Sequence, residues 1–175
     1  MRLPLAAHPR RLATAAISLG LLALAACSKS TPTADNAAAP AAAKHAARLG
    51  TWTDDYAAAV KQAKAENKNL LLDFTGSDWC VNCWNLDDGV FSKPAFADYA
   101  QAHLVLVTLD FPIKTKLSDA LTQQNAALMQ KYHVEGLPTI VLLSPDEKQL
   151  AFLLGYGGQS VEQFIAQLEH PAPPH

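Results

Sequence analysis

Two cysteines separated by two residues follow closely on an apolar run, and this junction constrains the fold more than any other feature of the chain. The run covers residues 69–75, and the cysteines are Cys80 and Cys83 within the segment WCVNC. A run this short and apolar is typical of a strand buried on both faces. Gly76-Ser77 ends it, and a helix is predicted from about Cys80 to Asp87. The sequence therefore predicts a dithiol where a buried strand gives way to a helix.

The start of that helix favours the ionised form of the first sulfur. Unpaired backbone N–H groups and the positive end of the helix dipole stabilise a thiolate there, and such cysteines have a pKa of about 3.5–7.5 instead of about 8.5. Cys83 lies one turn later, close enough to form a disulfide with Cys80 and to displace whatever Cys80 has attacked. Cys80 is thus the predicted nucleophile and Cys83 the resolving cysteine.

The first 26 residues have the pattern of an export signal. Three arginines form a basic n-region, and residues 12–24 form an apolar h-region too short to span a bilayer comfortably. Residues 24–27, LAAC, resemble the lipobox of bacterial lipoproteins, which implies lipidation at Cys27. The alternative is an ordinary signal peptide cut near Ala26, with Cys27 left as a free thiol. Ser28, in place of an aspartate, resembles the pattern that sorts lipoproteins to the outer membrane.

Composition divides the rest of the chain. Residues 28–48 contain no large apolar residue, so we predict that 27–48 is a lipidated cysteine with a flexible tether. Residues 49–169 are long enough for a single core, and the Pro-rich stretch 170–175 is predicted to be a disordered tail. Removal of the signal takes away three arginines and leaves 11 basic against 16 acidic residues, a net charge of −5. This balance does not indicate nucleic-acid binding.

Helical and strand patterns alternate along residues 49–169. We predict helices that begin at Thr53 or Asp54, at Cys80, at Ser92, at Ser118 and at Ser160, and that run to about 67, 87, 102, 132 and 168. The predicted strands are 69–75, 103–109, 139–143 and 149–154, the last two joined by the turn residues 144–148. This order implies an α/β domain with parallel strands that ends in an antiparallel hairpin.

With these elements in place, the chain resembles the thioredoxin superfamily. Two motifs carry the resemblance: Ser77-Asp78-Trp79-Cys80-x-x-Cys83 after a strand, and Gly136-Leu137-Pro138-Thr139 before a later strand. The similarity is greatest to thioredoxin-like proteins with this first motif and to the C-terminal domain of the periplasmic thiol-disulfide transporter. It implies a thioredoxin-like fold, with a central mixed sheet of four or five strands flanked by helices.

The resemblance also implies roles for residues around the dithiol. Leu137 and Pro138, joined by a cis peptide bond, are expected to lie beside Cys80 and to hold substrate as an added extended strand. Trp79 is expected to shape the same surface, or else to belong to the core. Asp73 matches a buried acid that carries a proton in exchange, although it lies one residue further from the dithiol than in thioredoxin; the alternative is a surface-facing or hydrogen-bonded aspartate at a strand end.

Two further positions bear on the resemblance. A lysine commonly follows the second cysteine in this family, and Trp84 stands there instead. Gly155-Tyr156 is at the place of a glycine-bearing turn that borders the dithiol in this family, and a plain turn is the alternative. The segment 110–117 can form a loop near the site or serve only as a connection.

The implied function is a lipid-anchored oxidoreductase of the bacterial periplasm, attached to the outer membrane, which reduces protein disulfides through a Cys80–Cys83 redox disulfide. The implied partners are periplasmic protein disulfides and a membrane thiol-disulfide electron donor. No cofactor or metal is expected, and neither is an oligomer.

Two functions of other classes remain as alternatives, and the first of them uses the same cysteines. One is metal binding or copper delivery, with His103 or His133 as a third ligand; the other is a non-catalytic binding lipoprotein. A c-type haem site requires histidine directly after the second cysteine, and residue 84 is tryptophan, so that site is excluded.

Overall fold

A five-stranded mixed sheet lies at the centre of residues 47–171, the part of the chain that this computed structural model describes. Its strands are β1 (Trp52–Thr53), β2 (Asn69–Thr75), β3 (Leu104–Asp110), β4 (Thr139–Leu143) and β5 (Gln149–Leu154). Their order across the sheet is β1-β3-β2-β4-β5. β3 runs parallel to β1 and β2, whereas β4 is antiparallel to both β2 and β5. The predicted α/β class is confirmed, with five strands.

Helices cover both faces of this sheet. They are α1 (Tyr56–Glu66), α2 (Val81–Leu86), α3 (Pro94–His103), α4 (Asp119–Lys131) and α5 (Val161–Glu169), and a π-helical turn, Asp87–Phe91, continues α2. Buried side chains of α1 and α4 pack with Leu70, Leu72 and Phe74 of β2. Those of α2, α3, α5 and the π-helical turn pack with Leu71 on the other face. Because side chains alternate along a strand, Asp73 and Thr75 point to this second face, under α2.

Several predicted elements match the structure residue for residue. Strands β2, β4 and β5 have the predicted bounds. Ser118 caps α4 by accepting the backbone N–H of Leu121 at 3.2 Å. Ser160 and Gln163 form a reciprocal capping box at the start of α5, which satisfies two otherwise unpaired helix N–H groups.

Three helix ends differ from the prediction. Asp55, rather than Thr53 or Asp54, caps α1, because the helix begins at the next residue and the carboxylate reaches the N–H of Ala58 at 2.9 Å. Ser92 does not cap α3; its hydroxyl donates to the carbonyl of Asp88 at 3.0 Å, and Lys93 is the N-cap without a side-chain bond. His103 ends α3 instead of opening β3.

Two elements were not predicted at all. Strand β1 has only two residues and pairs with β3 through Trp52 and Leu106, and a two-residue strand carries no periodic pattern. The π-helical turn lies where the helix predicted from Cys80 was expected to end at Asp87. A π turn adds one residue to the helical repeat, which a search for a 3.6-residue period does not detect.

The folded part extends one residue further toward the N-terminus than predicted. Arg48, assigned to the tether from composition, forms ion pairs with Asp73 and Asp87, and Leu49 donates its N–H to the carbonyl of Phe91 at 2.8 Å. The predicted signal peptide, Cys27, residues 28–46 of the tether and residues 172–175 of the tail lie outside the described residues. Within 47–171, no helix has the length and apolar character needed to cross a bilayer.

Candidate active site

A tight turn at the end of β2 positions the dithiol. The carbonyl of Gly76 accepts the backbone N–H groups of Trp79 at 3.3 Å and Cys80 at 2.9 Å. This turn brings the chain directly into α2, of which Cys80 is the N-cap residue with extended backbone angles. The strand-to-helix junction predicted from the sequence is therefore present, and it places Cys80 at the opening of the helix.

Cys80 and Cys83 are joined by a disulfide, with Cα atoms 5.2 Å apart. The sulfur of Cys80 also accepts the backbone N–H of Cys83 at 3.2 Å. A backbone N–H directed at sulfur stabilises negative charge on it, as the position at the helix start predicts. Cys80 is 6% exposed and Cys83 1% exposed, so the two sulfurs differ in access. A disulfide from outside reaches Cys80 more readily than Cys83.

Two tryptophans connect the dithiol segment to its surroundings. The indole N–H of Trp79 donates to the carbonyl of Phe111 at 2.8 Å, while 41% of the residue remains exposed. Trp79 therefore belongs to the surface beside Cys80, and the alternative of a purely core residue is wrong. Trp84 donates its indole N–H to the carbonyl of Ser77 at 2.8 Å. Trp84, which stands where lysine is common in the family, is thus hydrogen-bonded to the turn before the cysteines.

The segment after β3 is fastened to the residues just before Cys80. The carboxylate of Asp78 accepts the backbone N–H groups of Ile113, Lys114 and Thr115 at 2.9, 2.7 and 2.9 Å. These three bonds hold the pKa of Asp78 below its ordinary value, and the bond from Ile113 has the largest effect. Ser77 adds a hydroxyl bond to Asp110 at 2.6 Å. Of the two readings of segment 110–117, the loop near the site is the one observed.

This loop and the residue after Cys80 carry exposed apolar side chains, which we call the apolar rim. Ile113 is 74% exposed and Val81 is 59% exposed. Val81 lies two residues after Trp79. The segment of Ile113 is bonded to Asp78 through its own N–H and to Trp79 through the carbonyl of Phe111. The exposed Lys114 and Lys116 follow Ile113 along the chain. Asp78 was not among the site residues predicted from the sequence. Its place in the Ser-Asp-Trp-Cys motif was the available signal.

The second motif contains the expected cis peptide bond between Leu137 and Pro138. The carbonyl of Pro138 accepts the N–H of Gly155 at 2.8 Å, and the hydroxyl of Thr139 donates to the carbonyl of Gly136 at 2.7 Å. Gly155 has a φ of +76°, a left-handed conformation that glycine adopts without strain. The glycine-bearing turn predicted at Gly155-Tyr156 is thus bonded directly to Pro138.

Asp73 is fully buried in the sheet face that α2 covers. Its Oδ2 accepts a hydrogen bond from the guanidinium of Arg48 at 2.5 Å, and the same guanidinium binds Asp87 Oδ1 at 2.6 Å. Burial raises the pKa of Asp73, although the charge of Arg48 opposes this effect. The surface-facing alternative for Asp73 is wrong. The sequence analysis missed Arg48 and Asp87, and only the spacing of Asp87, one turn after Cys83, could have indicated its position.

The described residues do not bring together a metal site. No group of three His, Cys, Asp or Glu side chains within 47–171 is arranged to hold an ion. His103, one of the two candidate ligands, has its ring 4.7 Å from that of Tyr99. His133 lies beyond α4 in a left-handed conformation, with a φ of 52°. Neither histidine belongs to such a group with the dithiol.

Comparison with known proteins agrees with the site geometry. The family model for the thioredoxin-like domain matches residues 56–172, two thirds of the chain. The chain belongs to the thioredoxin-like family. A solved structure described as DsbH oxidoreductase is 33% identical, with a TM-score of 0.64 over 71% of this chain and 85% of that one. A thioredoxin from Thermus thermophilus, 22% identical with a TM-score of 0.53, covers 69% of this chain and 85% of its own and shows the same fold.

Curated relatives match more than half of the chain. The disulfide bond reductase DsbH of Chlamydia pneumoniae is 37% identical over 98 residues, 56% of this chain and 59% of the relative. The thiol:disulfide interchange protein DsbD of Pectobacterium atrosepticum is 35% identical over 104 residues, 59% of this chain and 16% of the relative. The matched region is therefore less than two thirds of the length of either curated relative.

Proposed function

We propose that this thioredoxin-like protein is a thiol-disulfide oxidoreductase that reduces disulfides in other proteins. The observation that carries the proposal is the Cys80–Cys83 pair, with the Cys80 sulfur at a helix start and hydrogen-bonded to a backbone N–H at 3.2 Å. A scaffold that only binds partners has no need of paired cysteines in this arrangement. The relatives named disulfide bond reductase and thiol:disulfide interchange protein support the same chemistry.

The reaction begins at the more accessible sulfur. In the reduced protein, the Cys80 thiolate attacks one sulfur of a substrate disulfide, forms a mixed disulfide and releases the first substrate thiolate. Cys83 then loses its proton, attacks the Cys80 sulfur and releases the second substrate thiolate. Two electrons pass from the dithiol to the substrate, and the two substrate thiolates take up the proton that Cys83 lost and the proton that Cys80 gave to solvent when it ionised. The protein is left with the Cys80–Cys83 disulfide seen in the structure.

The substrate is proposed to bind across the surface that surrounds Cys80. The backbone at Leu137 and Pro138 offers hydrogen-bonding groups to an extended segment, and the exposed side chains of Trp79, Val81 and Ile113 offer apolar contact. Apolar side chains become available when a protein is unfolded or wrongly bridged. We therefore propose such proteins as substrates.

The cellular setting follows from the N-terminal sequence. We propose that Cys27 is lipidated and anchors the protein in the periplasm at the outer membrane, with residues 28–47 as the tether. Since every turnover consumes two electrons, we propose that a membrane thiol-disulfide donor restores the dithiol. No second copy is needed for the site, so we propose that the protein acts as a monomer.

Trapping of the mixed disulfide tests the assignment of the two cysteines. A Cys83→Ala variant, expressed in the periplasm, should accumulate disulfide-linked protein partners through Cys80, and these should disappear on reduction. Cys80→Ala is the matched control and should trap none. Failure of Cys83→Ala to trap while Cys80 reacts with a small alkylating reagent would refute the assigned roles.

The direction of electron flow is tested separately. Potentials of such dithiols range from about −270 mV in thioredoxin to about −120 mV in the strong oxidant DsbA, which corresponds to roughly 7 kcal/mol. Equilibration with glutathione should place the Cys80–Cys83 pair nearer the first value. A potential near the second would assign an oxidase instead.

A further inference from the structure

The guanidinium of Arg48 is built into the sheet face beneath the dithiol helix. Its Nε donates to Asp87 at 2.6 Å, one terminal nitrogen donates to Asp73 at 2.5 Å, and the other donates to the hydroxyl of Thr108 at 3.3 Å. The group also lies over two rings, 4.7 Å from the centroid of Trp52 and 5.1 Å from that of Phe91. Arg48 is thus oriented by five neighbours, from three strands and the π-helical turn.

This cluster contains two carboxyl groups and one guanidinium. Asp73 and Asp87 are both buried, so solvent screens their charges poorly. Asp73 Oδ1 has no hydrogen-bond partner among the described residues, and neither has the buried hydroxyl of Thr75, two residues along the same face of β2. When Asp73 and Asp87 are both ionised, one of their two negative charges is therefore incompletely compensated. In Asp73, the unpartnered Oδ1 is the oxygen that can hold a proton.

The cluster lies next to Cys83 along the helix. Asp87 follows Cys83 by four residues, and its backbone N–H donates to the carbonyl of Cys83. Residues four apart lie on the same side of a helix, and both of these side chains are buried. Arg48 joins this side of the helix to Asp73 in the strand below. One cation therefore connects the resolving cysteine's helical turn to the buried acid.

We propose that Arg48 is a positioning residue for the resolving step: it holds Asp73 in place and in a proton-accepting state on the sheet face that α2 covers. The proposal rests on the proposed oxidoreductase function and concerns its second step. In that step the Cys83 thiol transfers its proton to the Asp73 carboxylate, the Cys83 sulfur forms a bond to the Cys80 sulfur, and the bond from Cys80 to the substrate breaks. The substrate sulfur leaves with the electron pair of the broken bond.

Several groups from neighbouring elements affect the ionisation of the Asp73 carboxyl. On β3, Thr108 is the register partner of Asp73, and Asp110 adds a negative charge that raises the pKa of Asp73. On β4 the register partner is the apolar Ile140. The π-helical turn contributes Asp87, which forms an ion pair with Arg48. Among these charged groups only the Arg48 cation favours the carboxylate, so its removal should keep Asp73 protonated to higher pH.

Reaction of the reduced protein with Ellman's reagent separates the two steps. This small aromatic disulfide releases one coloured thiolate when Cys80 attacks and a second when Cys83 resolves the mixed disulfide. In Arg48→Met, which keeps an apolar stem against Trp52 and Phe91, the second release should be about tenfold slower at neutral pH. Its pH midpoint should rise by about one unit. The first release should change less than about twofold.

Three further variants identify the cause. Arg48→Lys keeps a charge but cannot bind both acids and Thr108 together, so its midpoint should shift in the same direction by a smaller amount. In an Asp73→Asn background, replacement of Arg48 should produce almost no shift, because the group it acts on is absent. Lys61→Met removes an exposed charge from α1 and should leave both releases unchanged.

The outcomes separate this inference from the proposed function. An unshifted midpoint in Arg48→Met, or an equal shift with and without Asp73, overturns the inference. If Arg48→Met does not fold, the same comparison made with Arg48→Lys decides it. A wild-type protein that reduces Ellman's reagent but no protein disulfide overturns the proposed function, while the two releases still report on Arg48.

Discussion

Asp78, two residues before Cys80, accepts the backbone N–H of Ile113 at 2.9 Å across 35 positions of the sequence. The next two N–H groups of the same loop bind the same carboxylate. A single side chain thereby orders three successive residues of the loop and holds the exposed Ile113 at the rim of the site. The surface beside Cys80 is therefore built from two distant parts of the chain.

Replacement of Asp78 by alanine should release this loop. The backbone N–H groups of Ile113, Lys114 and Thr115 lose their acceptor, so their amide hydrogens should exchange faster with solvent while amides of β2 and β3 keep their protection. Asp78→Asn, which retains one carbonyl acceptor, should show an intermediate effect. Asp98→Ala, an exposed residue of α3, is the control. Unchanged exchange at all three amides in Asp78→Ala would contradict this account of the loop.

A charge introduced at the rim should weaken reaction with protein substrates selectively. Ile113→Asp places a carboxylate where an apolar contact is proposed, so KM for a disulfide-bonded protein should rise several-fold while kcat changes little. The rate with Ellman's reagent should stay the same, because a small disulfide does not need the rim. Ala57→Asp, on α1, adds the same charge elsewhere. Equal losses with both substrates would place the defect in the dithiol itself.

Gly76 should not tolerate a side chain. A Cβ there would lie 2.6 Å from Cε2 and 2.7 Å from Nε1 of Trp79, so the indole must move and lose its bond to Phe111. We expect Gly76→Ala to lower the free energy of unfolding by about 1–3 kcal/mol, as overpacking usually does, and to shift the Trp79 indole N–H signal in the NMR spectrum. In Gly157→Ala the nearest atom is 3.7 Å away, and neither change should occur.

The buried Asp73 should make stability fall as the pH rises. Its pKa is raised in the folded protein, so between the ordinary Asp value of about 3.9 and the folded value the native state holds a proton that the unfolded chain has lost. Each unit of this shift removes about 1.4 kcal/mol of stability as the pH rises through that window.

Asp73→Asn cannot titrate, so the free energy of unfolding of wild type relative to this variant should fall as the pH rises above about 4. Denaturant unfolding at several pH values measures the difference, with the exposed Asp98→Asn as the control. A difference that stays constant with pH would show that Asp73 does not carry the raised pKa.

Local patterns were sufficient for much of the secondary structure. The apolar run of β2, the hairpin of β4 and β5, and the caps Ser118 and Ser160 depend on residues within a few positions of one another. Where neighbouring residues compete for the same role, as with Asp54 and Asp55 at the start of α1, the pattern leaves an error of one or two residues. Strand β1 was missed because it is defined almost entirely by its pairing with β3.

By itself the sequence determined the kind of chemistry: two cysteines at a strand-to-helix junction, one at the helix start and one a turn later. Only the tertiary structure decided what surrounds them. Arg48 meets Asp73 and Asp87 across 25 and 39 positions. These meetings depend on which faces the sheet and helices bury together, and burial is what perturbs the Asp73 carboxyl. A residue's spacing along the chain carries neither its burial nor its distant partners, so the sequence located the sulfurs and the fold set their environment.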